Sequence, residues 1–168
     1  NYKPMDVQKQ EYDEYKTNFL EHHGVNPRPL LLTDMCICDS DSDRAKDNSK
    51  YIANYLLSVL HHYDLMGDHY KEAKGYEAYG DAVDALRETG KEGMMQAYVE
   101  GQIWGTPDQM LKKFEERRKE MGHTDSLMAF RFAGMDIEIA QRSQKLFAEE
   151  VMPVLKSWEG EDAANQAA

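Results

Sequence analysis

The chain has 168 residues, enough for one domain with a hydrophobic core. Its 31 acidic and 20 basic residues give a formal net charge of −11, which argues against nucleic acid or an anionic membrane as the main partner, because both attract basic surfaces. No apolar run approaches the ~20 residues that a membrane-spanning helix needs, and no secretory leader is visible.

The first third of the chain predicts a helix followed by a buried strand. Aromatic residues at three- and four-residue steps predict an amphipathic helix over residues 5–22, which Gly24 and two prolines end. The stretch PLLLTDMCIC is short and aliphatic, like the buried strands of parallel sheets. Cys36 and Cys38 would share one face of this strand, and neighbours at that spacing rarely form a disulfide, so we expect reduced thiols in a cytoplasmic protein.

The middle of the chain predicts helices and an irregular link. Carboxylates and hydroxyls in DSDSDRA would cap a helix and favour its dipole. The apolar face of that helix is predicted to consist of Ile52, Tyr55, Leu56, Val59 and Tyr63. Residues 65–80 are typical of an irregular link, and residues 81–90 and 92–100 predict two short helices separated by glycines.

An abrupt change from strand to helix follows in EGQIWGTPDQM. A brief strand over residues 102–104 is predicted to end at a helix whose N-cap is Thr106. Pro107 suits the first helical position, and Gln109 can complete a capping box with Thr106. The helix is expected to end at Met121, before Gly122.

The last part of the chain repeats this pattern. DSLMAFRF predicts a second buried strand, and Asp136 is the expected N-cap of a final helix that Pro153 bends or ends. Residues 157–168 are expected to form a flexible acidic tail.

This alternation predicts an α/β fold with parallel strands. Three strand–helix units would leave a sheet with open edges, which favour aggregation, whereas a barrel has no edges. A (β/α)8 barrel typically needs ~250 residues, so we expect the chain to be part of such a barrel, without its first strands.

Three segments, in this order, carry a resemblance to a known family: ICDSDSDRA, WGTPDQMLKKFEERRKEMG and LMAFRFAGMDIEIAQRSQKLFAEEVMPVL. Over residues 5–156 the chain resembles the C-terminal half of the luciferase-like flavin-dependent monooxygenases. Residues 105–109 match the start of the helix after the seventh strand of that family. Residues 127–132 and 147–153 match its eighth strand and the end of its final helix.

The resemblance implies a luciferase-like (β/α)8 TIM barrel, with residues 1–156 forming its C-terminal portion. It also implies a cofactor, FMN, reduced by a separate flavin reductase, and the insertion of one oxygen atom from O2 into a small organic substrate through a peroxyflavin. The N-terminal half of the barrel would be a further partner, and a homodimer is expected. Many of the family's catalytic residues lie in its first five strands, so no catalytic residue is assigned here.

Two other functions remain open from the sequence. The half-length chain would also suit a non-catalytic barrel relative, or a partner subunit that pairs with another chain through its open edges. Related families use the same scaffold with a deazaflavin for hydride transfer, and the sequence of this half does not separate the two cofactors.

Four residues near the expected barrel mouth are candidates for cofactor binding: Trp104, Arg131, Phe132 and Gly134. The Trp104 indole would line the flavin or substrate pocket, or fill the rim between strands. The Arg131 guanidinium would bind the flavin phosphate or an anionic substrate, or form a structural ion pair. Phe132 follows it, and Gly134 would let the loop approach a ligand closely, or would form an ordinary turn.

Asp34 lies inside the first predicted strand, where a carboxylate needs a hydrogen-bonding or charged partner. We expect a salt bridge that joins layers of the fold, with Arg131 as a candidate partner, rather than a functional role.

No metal site is predicted. DSDSD resembles the start of a calcium loop, but Arg44 and Lys50 occupy the positions that need Gly and Glu. His61 and His62 diverge by about 100° on a helix, and neither has a ligand four residues away.

Overall fold

A computed structural model describes residues 5–64, 67, 69–72, 74–75 and 90–158. The helices are α1 (Met5–His23), α2 (Ser42–Asn48), α3 (Lys50–His62), α4 (His69–Glu72), α5 (residues 90–100), α6 (Pro107–Met121) and α7 (Ile137–Leu146), and the strands are β1 (Leu30–Cys38), β2 (Ile103–Gly105) and β3 (Thr124–Ala129). Residues 81–89 of the predicted helix over residues 81–90, and most of the predicted link and tail, lie outside the described residues.

The three strands form one parallel sheet in the order β2-β1-β3, which makes the fold a mixed α/β structure. β1 pairs with β3 through Leu30–Met35 and with β2 through Cys36–Cys38. The predicted parallel pairing is confirmed. Three consecutive barrel strands would place β2 in the middle, whereas the observed order places β1 there. β2 has only three residues, so it reaches only the carboxyl end of β1.

One face of the sheet is covered by α6 and by the C-terminal helix, the helical segment of residues 147–158 that follows α7. The even-numbered residues of β1 point to this side because side chains alternate along a strand. The buried cluster on this face contains Cys36, Cys38, Ile103, Met110, Phe114, Phe147 and Val151. Cys36 and Cys38 are both buried and form no disulfide.

Among the described residues, those that cover the opposite face lie near the carboxyl ends of the strands. There Ile37 packs against α3 and α5, in a cluster with Ile52, Leu56, Met94, Tyr98, Phe132, Met135 and Ala140. Towards the amino ends this face is open, with Leu31 59% and Leu127 56% exposed. The prediction of a buried strand over residues 125–132 is therefore wrong in two respects: β3 ends at Ala129, and its middle is exposed.

Other helices follow the sequence closely, with three differences. The single helix predicted to begin in DSDSDRA is divided at Ser49 into α2 and α3. Tyr63, assigned to the apolar face of α3, lies just beyond that helix and is exposed. Pro153 does not end the last helix, which continues to residue 158. A π-helical turn, Phe147–Val151, directly precedes the proline, and its wider spacing accommodates a ring that cannot donate a backbone hydrogen bond.

The partner of Asp34 is Arg117 of α6, so the proposed pairing with Arg131 is wrong. Both side chains are buried, at 0% and 3% exposure. Arg117 shares the inner face of α6 with Met110, Phe114 and Met121 because these residues recur at helical spacing. The ion pair joins the central strand to the helix that covers it.

Among the described helices, none combines the length and the apolar character needed to cross a membrane.

Candidate functional site

The candidate site is the edge of the sheet at which all three strands end. Parallel strands bring their carboxyl ends together, and α/β proteins usually bind ligands at that edge. Three connections begin there: the β1–α2 loop, the β2–α6 turn and the β3–α7 turn. All four candidate cofactor residues lie on these elements or on the last residues of the strands.

The β1–α2 loop is held by its own carboxylates. Asp41 caps α2 and accepts hydrogen bonds from the backbone N–H groups of Asp43 and Arg44, at 2.9 and 3.0 Å. The bond from Arg44 is the main reason that the pKa of Asp41 is lowered. Asp39 accepts from the Arg44 Nη2 at 2.7 Å, and this hydrogen bond raises the pKa of Arg44. The two carboxylates therefore stabilise the conformation of the loop.

The β2–α6 turn forms the predicted capping box. Thr106 Oγ1 accepts from the Gln109 N–H at 3.4 Å, and Gln109 Oε1 accepts from the Thr106 N–H at 2.8 Å. Gln109 Nε2 also donates to Ser42 Oγ at 3.3 Å, which ties this turn to the β1–α2 loop. Gly105 has a φ of +138°, and a Cβ there would lie 2.7 Å from Gln109 Oε1. The turn therefore requires glycine at this position.

Trp104 is half-buried, and its polar and aromatic surfaces already have partners. The indole Nε1 donates to Val99 O at 2.8 Å, at the end of α5. The Lys113 ammonium lies 5.0 Å from the ring centroid. These contacts correspond to the structural alternative for Trp104, an aromatic side chain that packs between elements at the rim.

Lys113 links the end of α5 to the residue before β2 through hydrogen bonds. Its Nζ donates to Glu100 O at 3.1 Å and to Gln102 O at 2.8 Å. Gln102 is buried, and its Oε1 accepts from the Met35 N–H at 3.0 Å, so the cluster reaches β1 as well. Burial lowers the pKa of Lys113.

The β3–α7 turn has positive φ angles at two successive residues, Ala133 at 50° and Gly134 at 74°. The Met135 N–H donates to Phe132 O at 2.9 Å, as expected for a tight turn of type I′. A Cβ on Gly134 would meet no atom within 4 Å, so the turn is open to solvent at this point. Phe132 is buried and packs edge-on against Tyr55, with ring centroids 6.5 Å apart.

Arg131 is exposed at the start of this turn. Its Nε donates to Met135 O at 3.4 Å, and within the described part of the chain it forms no ion pair with a carboxylate. The structural ion pair that the sequence left open for Arg131 is therefore absent from these residues. Asp136, the N-cap of α7, makes no side-chain capping hydrogen bond, so the first N–H groups of α7 lack that partner.

The four candidates separate into two pairs. Trp104 and Phe132 belong to the same buried cluster, and both have structural partners. Arg131 and Gly134 lie together on the exposed turn. Ser143 of α7 is a contributor that the sequence analysis did not single out. Its Oγ accepts from the buried Cys38 N–H at 2.7 Å, at the end of β1.

Two of the clefts among the described residues lie at the amino ends of strands. One, of about 610 Å³, is lined by Tyr12, Tyr15, Phe19, Arg28, Pro29, Leu30 and Leu31. The other, of about 560 Å³, lies between α6, the start of β3 and the C-terminal helix. Neither borders the candidate site. Within the described residues, no three His, Cys, Asp or Glu side chains are grouped as metal ligands.

No protein-family model matches the chain, and no curated protein matches it. Among solved structures, it is similar to the crystal structure of monooxygenase RslO1 from Streptomyces bottropensis, with a TM-score of 0.59 and 15% sequence identity. The match covers 91% of this chain and 39% of that monooxygenase. At this identity the likeness shows that the two share a fold, and the chain spans well under half of the length of that protein.

Proposed function

We propose that the chain forms the last part of a luciferase-like (β/α)8 barrel, in an FMN-dependent monooxygenase that acts on a small organic substrate. The observation that carries this proposal is the open face of the sheet. Parallel sheets are almost always covered on both faces, yet Leu31 and Leu127 are more than half exposed on neighbouring strands. A face of this kind requires further strands or helices to cover it.

In this arrangement β1 and β3 are the neighbouring barrel strands, and β2 is an additional short strand beside β1. The six paired residues of β1 and β3 and the packing of α6 on one face are what a barrel wall needs. The open face, with Leu31, Thr33 and Leu127, would then point into the barrel. The likeness in fold to a monooxygenase supports the same proposal.

The residues at the candidate site fit part of a flavin. Arg131, the open turn at Gly134 and the N–H groups at the start of α7 suit a phosphate, since guanidinium and helix N-termini both bind anions. Trp104 and Phe132 do not fit a role in stacking on the flavin ring, because other side chains already occupy their surfaces. This chain would therefore hold the phosphate, and the other part of the barrel would bind the ring.

Reduced FMN, when bound, would supply the reaction with O2. The part of this chain would be to anchor the phosphate through Arg131 and to close the barrel against water through its apolar sheet face.

The test is FMN binding to the full-length protein, followed by O2 consumption with reduced FMN. We expect R131A to weaken FMN binding by about tenfold and to leave riboflavin binding unchanged, because riboflavin lacks the phosphate. R142A, which removes an exposed arginine from α7, is the matched control. Absence of FMN binding, or equal losses for FMN and riboflavin, would contradict the proposal. Absorbance of the released cofactor separates FMN from a deazaflavin.

A second candidate function is a non-catalytic barrel subunit. The structural contacts of Trp104 and Phe132 favour it, because they leave few side chains at the candidate site for chemistry. In that case the open face would bind another chain without any flavin. Light scattering would detect this assembly, and L127K, which places a charge on the open face, would prevent it.

A further inference from the structure

The hydrogen bonds of β1 show which of its backbone groups face each neighbouring strand. Successive residues of a strand direct their N–H and C=O groups to opposite edges. The N–H groups of Met35 and Asp39 donate towards β2, to Gln102 Oε1 at 3.0 Å and to Gly105 O at 3.1 Å. The odd-numbered residues of β1 therefore face β2, and the even-numbered residues face β3.

The alternation in β1 leaves the outer edge of β3 without a neighbour. A residue that bonds to a parallel strand reaches the two residues on either side of its partner, so the partner itself faces away. The partners of the even-numbered β1 residues are Thr124, Ser126 and Met128. Among the described residues, nothing outside the sheet bonds to the backbone groups of these three. An edge strand of this kind is a template for pairing with a further strand.

The cleft of about 560 Å³ runs along the same edge of the sheet. Its lining includes residues from both faces of β3, such as Asp125 and Ser126, and no residue of β1 or β2. The aromatic part of the lining includes Phe114 and Phe147, which are buried and have ring centroids 6.4 Å apart. The cleft is therefore a space beside β3 that α6 and the C-terminal helix border and no described strand fills.

We propose that a strand from the part of the protein outside this chain pairs with the outer edge of β3, parallel to it, and fills the cleft with alternate side chains. This inference rests on the proposed function. Outward-facing N–H and C=O groups at every second residue match an extended backbone. Both existing strand pairs are parallel. The match to the monooxygenase covers 39% of that protein, which leaves further strands to be supplied by residues outside this chain.

The surroundings of β3 determine the kind of strand that fits. On the side of the helices its side chains would contact Phe114 and Phe147. On the other side they would lie beside Leu127, which is 56% exposed. Both surroundings are apolar, so the strand should be apolar at successive positions and should lack proline where it pairs, as in buried parallel strands.

Hydrogen–deuterium exchange of the full-length protein, resolved to single residues, tests the proposal. The N–H groups of Leu127 and Ala129 face β1 and are the internal reference for a paired strand. We expect the N–H groups of Ser126 and Met128 to exchange at rates within about tenfold of that reference, because both edges of β3 would be bonded. Faster exchange than this at Ser126 and Met128 would overturn the proposal.

Proline substitution at Ser126 is a second test in the full-length protein. S126P removes an N–H group from the outer edge and none that faces β1, and a free edge tolerates proline. We expect S126P to lower the Tm by about 5 °C or more, because it would remove a hydrogen bond to the added strand. The matched control S126A keeps the N–H group and should change the Tm by less than about 2 °C. Equal Tm values for S126P and S126A would contradict the proposal.

Two further measurements separate this proposal from its alternatives. If a second copy of the protein supplied the strand, the protection of Ser126 and Met128 would disappear on dilution below the dimer dissociation constant, and the proposal would be wrong. FMN binding is measured on the same sample. A protein that binds FMN while the outer edge of β3 is unprotected would refute this inference alone. A protected edge without FMN binding would refute the proposed flavin function alone.

Discussion

Arg117 donates two hydrogen bonds to Asp34, from Nη1 to Oδ2 at 2.7 Å and from Nη2 to Oδ1 at 2.8 Å. The two residues are 83 positions apart, and the pair joins the central strand to α6 inside the core. A bidentate geometry satisfies both carboxylate oxygens, which is the condition under which a buried charge is tolerated.

Removing one partner of this pair should strongly destabilise the folded protein. R117M leaves the Asp34 carboxylate buried without a partner, and we expect a loss of about 3–5 kcal/mol in the free energy of unfolding. D34L/R117M, which replaces both charges by apolar side chains, should recover most of that loss. Urea denaturation measures both variants. The exposed pair of Lys119 and Glu115 provides the control, since K119M should cost less than about 1 kcal/mol. A loss below about 1 kcal/mol for R117M would show that the buried pair is not structural.

The prediction for Asp34 shows what a sequence can and cannot indicate about a buried ion pair. A carboxylate inside an apolar strand signals that a partner exists, because its burial is otherwise too costly. It does not identify the partner, because Arg117 and Arg131 are both far away along the chain. The spacing of Arg117 from Phe114 and Met110 was the available signal, since it places the guanidinium on the buried face of α6.

Strand order was harder to foresee than strand position. The apolar run at residues 30–38 and the Gly-Thr-Pro junction predict β1 and the start of α6 closely, because both depend on local preferences. The order β2-β1-β3 depends on which backbone edges of β1 are used, and that is decided by tertiary packing. The candidate site also combines features that were predicted from the sequence with features that were not. Arg131 is exposed, as expected for a binding residue. The partners of Trp104 come from α5 and α6, and tertiary packing brings them together.

Ser143 should be required for the end of β1. Its hydroxyl accepts the buried Cys38 N–H at a point that β3 does not reach. S143A leaves this N–H without a partner, and we expect a loss of about 1–3 kcal/mol in the free energy of unfolding. S157A, on an exposed helical turn, serves as the control and should change stability by less than about 0.5 kcal/mol. If the two variants are equally stable, water or another group must satisfy Cys38.

The turn at Gly105 should not accept a side chain. G105A combines an unfavourable φ with a contact against Gln109, and we expect it to cost about 1–3 kcal/mol. Because the contact involves the capping side chain, Q109A should be less costly alone and should reduce the penalty of G105A in the double variant. Thermal unfolding followed by circular dichroism measures the set. Additive losses in the double variant would show that backbone strain alone determines the effect.

Cys38 should be unreactive in the folded chain and should make stability depend on alkaline pH. Burial, with smaller contributions from Glu150 and Asp39, raises the pKa of its thiol from 9.0 to about 12. Burial also raises the pKa of Cys36. Since the thiolate is the reactive form, alkylation by iodoacetamide near pH 8 should be slower than in the unfolded chain by about a thousandfold or more.

The raised pKa of Cys38 also determines how the stability of the protein changes with pH. A thiol whose pKa is raised by folding keeps its proton in the folded state after the unfolded chain has lost it. Its contribution to stability is therefore complete below pH 9.0 and is lost as the pH rises towards about 12. The difference in unfolding free energy between the unmodified chain and C38A isolates this contribution from other titrating groups. We expect that difference to fall across this range, and a constant difference, or rapid alkylation of the folded chain, would mean that Cys38 is accessible to solvent.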